Sequence, residues 1–270
     1  MRRTAQSTEA GVQSPIAQAR PHRQPRNPIP AAERPVVRGR EDGNAPAIIF
    51  DVEGTLVDCT AQTLECWQGT LRAFGHEFSI PALHPFLGLD TDDMLHRLLP
   101  KVDAKEKRAI TERQGKRYRE LYLPSVGAFP GTHRVLEQLR RAGHAIGLAT
   151  SCQRVELAFY VKVAGLSGLF DAVACGDDQG MRGKPHPHLL GAVLRRLRHP
   201  EHAVDVGDTP YDAMAARHMG LRAVGMLASG FRVDELKQAG CDAVIGALPE
   251  LLALLHHMPA RQGARASRFQ

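Results

Sequence analysis

The chain has 270 residues, 43% of them hydrophobic, which is enough for a core domain plus a smaller one. Its net charge of +6 belongs to its ends: residues 1–45 hold eight Arg against four acids and residues 258–270 three Arg and no acid, so the body between them is near neutral and offers no basic face for nucleic acid. Five scattered cysteines with no C-x-x-C pair exclude a disulfide framework or a zinc site and fit a reducing cytoplasm, and no apolar run approaches the roughly 18 residues of a membrane span.

Residues 1–45 are rich in Arg, Pro, Gln and Ala and show no apolar periodicity, so they read as a disordered basic tail. Met1-Arg2-Arg3 is not followed by the apolar stretch of an export signal. Ala47 to Phe50 is an unbroken apolar or small run that ends abruptly in Asp51. A buried parallel strand delivers an acid to the C-terminal edge of a sheet in this way, and that edge is where open α/β sheets bind their ligands. Asp51 and Glu53 stand two residues apart, on one side of an extended chain, so two carboxyl groups share a crevice as a possible nucleophile and acid/base. Gly54 allows a sharp turn and a close approach to an anion.

Thr60 to Phe74 places Leu64, Trp67, Leu71 and Phe74 at helical spacing. Pro81 and Pro85 interrupt; Asp90 to Leu99 then reads as a helix capped by Asp90 or Thr91, and Asp103 to Leu123 as a long charged helix ending at Pro124. Residues 60–128 are therefore expected to form a small all-helical cap without strands, inserted where it can fold over the crevice and exclude water. From Phe129 onward helices and strands alternate at βαβ spacing, which predicts a doubly wound parallel sheet. The expected architecture is an α/β core of residues 46–59 and 129–257, the cap of 60–128, and basic tails at 1–45 and 258–270.

Three later strand ends are positioned to serve Asp51. The strand Ala145 to Thr150 delivers Thr150 and Ser151, hydroxyls beside the amides of a helix start, which suit a phosphate oxygen. In Arg182-Gly183-Lys184-Pro185-His186-Pro187, Lys184 is held between a glycine and a proline, an ammonium placed to neutralise a carboxylate and the phosphoryl group it attacks. Ala203 to Val206 runs into Gly207-Asp208-Thr209-Pro210-Tyr211-Asp212, adding Asp208 and Asp212 to the same edge. Carboxylates converging on a phosphate with little counter-charge require a divalent cation, and oxygen ligands suit Mg²⁺.

The stretch A-I-I-F-D-V-E-G-T-L-V-D resembles motif one of the haloacid-dehalogenase-like phosphohydrolases, D-x-D-G-T-L-x-D, with Glu53 in place of the second aspartate. Thr150, Lys184 and the Asp208/Asp212 pair follow in the order of that family's motifs two to four, and the resemblance covers about residues 46 to 256. Phe129-Pro130-Gly131, Gly183-Lys184-Pro185-His186-Pro187 and Asp234-Glu235-Leu236 are similar to the phosphoglycolate phosphatase and β-phosphoglucomutase branch. The resemblance implies that Asp51 forms an aspartyl-phosphate, that Thr150 and Lys184 hold the transferring group, and that Mg²⁺ binds Asp51, the backbone carbonyl of Glu53 and Asp208, with Asp212 in support. Glu53 would protonate the leaving oxygen and then activate water, and a glutamate here is similar to the enolase-phosphatase branch. The implied function is hydrolysis of a small phosphorylated metabolite in the cytoplasm, with no nucleic-acid or membrane partner. A phosphomutase and a non-catalytic phosphometabolite-binding module, the latter raised by Glu53, are the alternatives. Monomer and homodimer are both open.

Overall fold

The computed structural model describes residues 45–257; the two expected basic tails lie outside the described residues except for Ala45. Eight strands form among the described residues, β1 Ala47–Phe50, β2 Val57–Asp58, β3 Gly127–Ala128, β4 Ile146–Ala149, β5 Ala172–Ala174, β6 Ala203–Gly207, β7 Arg222–Met226 and β8 Ala243–Ile245. Six of them make a parallel sheet in the order β5-β4-β1-β6-β7-β8. The chain lays strands to one side of β1, then returns to lay the rest on the other, so β1 sits at the switch point where such sheets open a crevice. Ile48, Ile49 and Phe50 are wholly buried, which explains why this strand carries no alternating pattern.

Register fixes what meets at the edge. Phe50 pairs with Leu148 on β4 and with Val206 on β6. Asp51 is therefore level with Ala149 and Gly207, and Thr150 and Asp208 follow one residue further along at the same edge.

Ten helices accompany the strands among the described residues: α1 Thr60–Ala73, α2 Ile80–Leu83, α3 Thr91–Leu98, α4 Ala104–Arg117, α5 Thr132–Arg141, α6 Arg154–Val163, α7 His188–Arg196, α8 Pro210–His218, α9 Val233–Ala239 and α10 Glu250–His257. The expected helices of the core are present. α8 starts earlier than the apolar pattern suggests, because Thr209 and Asp212 form a capping box around Pro210 in the first turn.

Between β2 and β3 the chain is helical. Asp90 caps α3 by accepting from the amides of Asp92 and Asp93 at 3.1 and 3.2 Å, and Asp103 caps α4 by accepting from the Glu106 amide at 2.8 Å. The predicted long helix to Leu123 is divided: α4 passes into a π-helical turn at Tyr118–Tyr122 and a 3₁₀ turn at Leu123–Ser125. The expectation that 60–128 contains no strand needs one correction, since Gly127 and Ala128 form β3, paired antiparallel with β2 through Val57 to Ala128 and Asp58 to Gly127. Two residues of Gly-Ala have no strand preference of their own, and the pairing is imposed by the chain leaving and re-entering the core side by side.

The β4 layer tolerates little added volume. A Cβ on Gly147 would lie 2.3 Å from Cγ1 of Val193 on α7, and a β-branched neighbour cannot swing away. Gly147→Ala is expected to destabilise the fold by about 1–3 kcal/mol, read as a lowered denaturation midpoint with an unchanged m-value.

Candidate functional site

Asp51 leaves β1 with its amide donating to the Val206 carbonyl at 2.9 Å, which pins it to the C-terminal edge beside β6. The chain then turns over Gly54, at φ 79°, where a Cβ would meet Asp208 Oδ2 at 2.2 Å. Only glycine fits both the backbone and the approach. Thr55 Oγ1 donates to Asp208 Oδ1 at 2.7 Å, and Ser229 Oγ donates to Asp208 Oδ2, so both oxygens of that acid are oriented from opposite sides.

Lys184 reaches this edge from the loop before α7. Its Nζ lies 2.6 Å from Asp51 Oδ1 and 2.5 Å from Asp212 Oδ1. The other oxygen of Asp212 accepts from the Thr209 amide at 3.0 Å and the Thr209 hydroxyl at 2.6 Å. The Lys184 loop is in turn held by the helical insertion: Asp90 Oδ2 accepts from the Gly183 amide at 2.6 Å, and the Asp90 amide donates to the Lys184 carbonyl at 2.7 Å. Arg182 and His186 flank the same loop and both pair with Asp93 at 3.1 Å.

Asp51, Asp208 and Asp212 are 7%, 2% and 3% exposed, and each offers a carboxylate oxygen within 4.8 Å of the others. A fourth buried acid, Asp205, stands in β6 opposite Ile49. Four carboxyls thus face one ammonium. Burial pushes Asp51 up to about 6 although Lys184 opposes it. Burial and then Asp212 push Asp205 and Asp208 well above the carboxylate range. Burial disfavours the Lys184 ammonium, but Asp212, Asp51 and Asp205 outweigh it and hold lysine above its ordinary value. Such an imbalance is relieved by protons or by a cation, and the oxygen-only set of Asp51, Asp208 and Asp212 fits a hard divalent ion.

Glu53 lies at the mouth of the same edge. Its Oε1 accepts from the Tyr160 hydroxyl at 2.8 Å, and Tyr160 in turn is 2.8 Å from the hydroxyl of Tyr118. Burial, then the neighbouring Glu156 carboxylate, push Glu53 up to about 8 despite that hydrogen bond. At neutral pH the group holds a proton it could give away.

A cavity of about 60 Å³ is lined by Asp51, Glu53, Ser151, Lys184 and Asp208 from the core and by Thr60, Thr63, Leu87 and Gly88 from the helical insertion. Ser151 Oγ is buried there with no hydrogen-bond partner, a free donor facing the space beside Lys184. Thr150 sits behind it: wholly buried, its hydroxyl accepts from the Cys152 amide at 3.2 Å. The seven residues expected from sequence thus divide. Asp51, Glu53, Ser151, Lys184 and Asp208 line the cavity, whereas Asp212 acts through Lys184 and Thr150 through the backbone of its own loop. Sequence reasoning missed Asp205, Ser229, Tyr118 and Tyr160. Asp205 did leave a trace, as the charged centre of Ala203-Val204-Asp205-Val206 in a strand buried on both faces.

A family model described as haloacid dehalogenase-like hydrolase matches residues 48–226. The chain is 29% identical over 217 residues to a protein of Dickeya dadantii (strain 3937) named "Probable phosphatase IndB", covering 78% of this chain and 94% of that one. It is 29% identical over 216 residues to the phosphoglycolate phosphatase of Rhodobacter capsulatus, covering 77% and 97%. The pyrophosphatase PpaX of Oceanobacillus iheyensis is 24% identical over 209 residues, covering 77% and 95%. Among solved structures, a hydrolase from Pseudomonas syringae superposes with a TM-score of 0.74 at 26% identity, covering 80% of this chain and all 100% of that one.

The raised Glu53 carboxyl makes stability depend on pH in a definite direction. A glutamate that binds its proton more tightly folded (about 8) than at the ordinary 4.5 contributes stability that is complete below about pH 4.5 and is lost as pH rises through about 8. Glu53→Gln cannot ionise and can still accept from Tyr160. In EDTA it is expected to melt a few degrees above the parent chain near pH 9 and at about the same temperature near pH 5, by calorimetry; equal melting at both pH values would contradict the shift.

Proposed function

This chain belongs to the haloacid dehalogenase-like hydrolases and is a phosphatase, and on that premise we propose that it is a Mg²⁺-dependent phosphatase that hydrolyses a small phosphate monoester through an aspartyl-phosphate on Asp51. The observation that carries the reading is Lys184 Nζ shared between Asp51 and Asp212, with Asp208 in the same buried cluster. An acid that must attack an anion needs that anion's charge offset, and this edge provides an ammonium and a cation-binding set together. The five buried free cysteines support a reducing, cytoplasmic setting.

An oxygen of Asp51 attacks phosphorus while the bond to the leaving oxygen breaks, and Glu53 gives its proton to that oxygen. Glu53, now a carboxylate, takes a proton from water; the water oxygen attacks phosphorus, phosphate departs, and Asp51 is restored. Lys184 and Ser151 bind the non-bridging oxygens throughout. Mg²⁺ would be held by Asp51, Asp208 and the Glu53 carbonyl with Asp212 in support, and when bound it would offset negative charge on the phosphoryl group. Acid/base help of this kind is worth about 10²- to 10⁴-fold.

The leaving-group side of the cavity is lined by Cys59, Thr60, Thr63, Leu87 and Gly88, with no cation among them. Lys184, the cation that does line the cavity, is held by Asp51 and Asp212. This lining supports an uncharged, hydroxyl-bearing leaving group, closer to a sugar phosphate than to the carboxylate of phosphoglycolate or the second phosphate of pyrophosphate. The cavity is small beside the roughly 300–1,000 Å³ of ligand sites, so entry requires the helical insertion, which serves as a cap over residues 60–128, to withdraw.

Turnover of p-nitrophenyl phosphate is expected to be abolished by EDTA, restored by Mg²⁺, and reduced at least about 10³-fold by Asp51→Asn; metal-independent turnover that survives the substitution would refute the reading. Across a panel of esters, kcat/KM for glycerol phosphate or a hexose phosphate is expected to exceed that for phosphoglycolate by about tenfold or more, because a buried carboxylate without a cationic partner costs upwards of about 1.4 kcal/mol.

A further inference from the structure

Tyr118 and Tyr160 have no part in the motifs, and at helical spacing each would pass as an aromatic filling the core. The fold brings their hydroxyls together over Glu53. Tyr160, wholly buried on α6, donates to Glu53 Oε1 at 2.8 Å, and since its one proton is used there, the Tyr118 hydroxyl 2.8 Å away is the donor to Tyr160. The chain runs one way, from Tyr118 through Tyr160 to the carboxyl.

Two further observations bear on what this chain does. Glu53 has one methylene more than aspartate, about 1.5 Å of extra reach, and that reach is what brings its carboxyl to Tyr160 while it still lines the cavity. Tyr118 belongs to the π-helical turn of the insertion, and the next residue, Arg119, binds the same face of α6, at 2.9 Å to Gln153 Oε1 and 3.2 Å to Glu156 Oε1. A π turn places the side chains of consecutive residues out of step with α-helical spacing, and such turns recur at functional sites. Here it docks two adjacent residues on one helix.

We infer that Tyr160 is a positioning residue that fixes Oε1 of Glu53 and leaves the other carboxyl oxygen to face substrate, and that Tyr118 completes the arrangement only when the helical insertion is docked. The extra length of Glu53 and the two phenols therefore form one device. This inference rests on the reading of Glu53 as acid/base, and its test separates the two.

The test compares kcat/KM of the Mg²⁺-loaded full chain on two esters. p-Nitrophenyl phosphate expels a stable anion and needs no proton donor; glycerol phosphate expels an alkoxide that does. Tyr160→Phe is expected to lose roughly tenfold on glycerol phosphate and less than about threefold on the aryl ester, with Tyr118→Phe losing less in the same sense. In a Glu53→Gln background Tyr160→Phe should cost nothing further on glycerol phosphate, since residues acting as a unit are not additive. Equal losses on both esters, no loss, or an undiminished loss in the Gln background would reduce the tyrosines to packing and overturn the inference. If Glu53→Gln itself leaves glycerol phosphate turnover intact, the acid/base reading falls and takes the inference with it. Should Tyr160→Phe fail to fold by circular dichroism, Tyr118→Phe on the same two esters decides.

Discussion

One ammonium shared between two buried carboxylates organises this molecule. Lys184 lies buried against Asp51 and Asp212, where a lone charge would cost several kcal/mol and each charge can be kept only by its partners. The surrounding construction serves to bring them there: the register of β1 with β4 and β6, the capping box that starts α8, and Asp90 reaching from the insertion to hold the lysine loop at Gly183 and Lys184. Lys184 answers for only part of the acid present. The remaining carboxyls are what leave the edge able to take up a cation.

Two kinds of acid result from one environment. Burial raises both: Asp51, opposed by Lys184, rises only to about 6, whereas Glu53, with Glu156 adding to the effect, rises to about 8 despite the hydrogen bond from Tyr160. On the proposed function, groups two residues apart thereby take opposite tasks, a nucleophile that is ionised at neutral pH and an acid that still holds its proton.

Legibility in the sequence followed from how local the cause was. β1 could be read because burial on both faces leaves an unbroken apolar run, and Asp51, Lys184 and Asp208 because each ends a strand or stiff loop in a few consecutive residues. The ribbon of β2 and β3 could not, since its pairing joins positions 57 and 128 across the whole insertion, and Gly127-Ala128 carry no strand propensity of their own. Tyr160 and Ser229 were hidden for the same reason: their hydroxyls matter only through partners 107 and 21 positions away. Thr150 and Ser151 show the remaining gap. Spacing placed both at a strand end, but which hydroxyl faces the cavity depends on a loop hydrogen bond to Cys152.

The antiparallel contact of Val57 with Ala128 and Asp58 with Gly127 has a wider implication. Because the outgoing and returning segments are clasped to each other beside the central sheet, the place where they meet it does not depend on the length of the excursion between them. Closing a longer or shorter detour changes chain entropy only logarithmically. Descendants of this chain could therefore lengthen or shorten the helical segment, provided that its own supports of the edge, Asp90 on the Lys184 loop and Tyr118 on Tyr160, are kept.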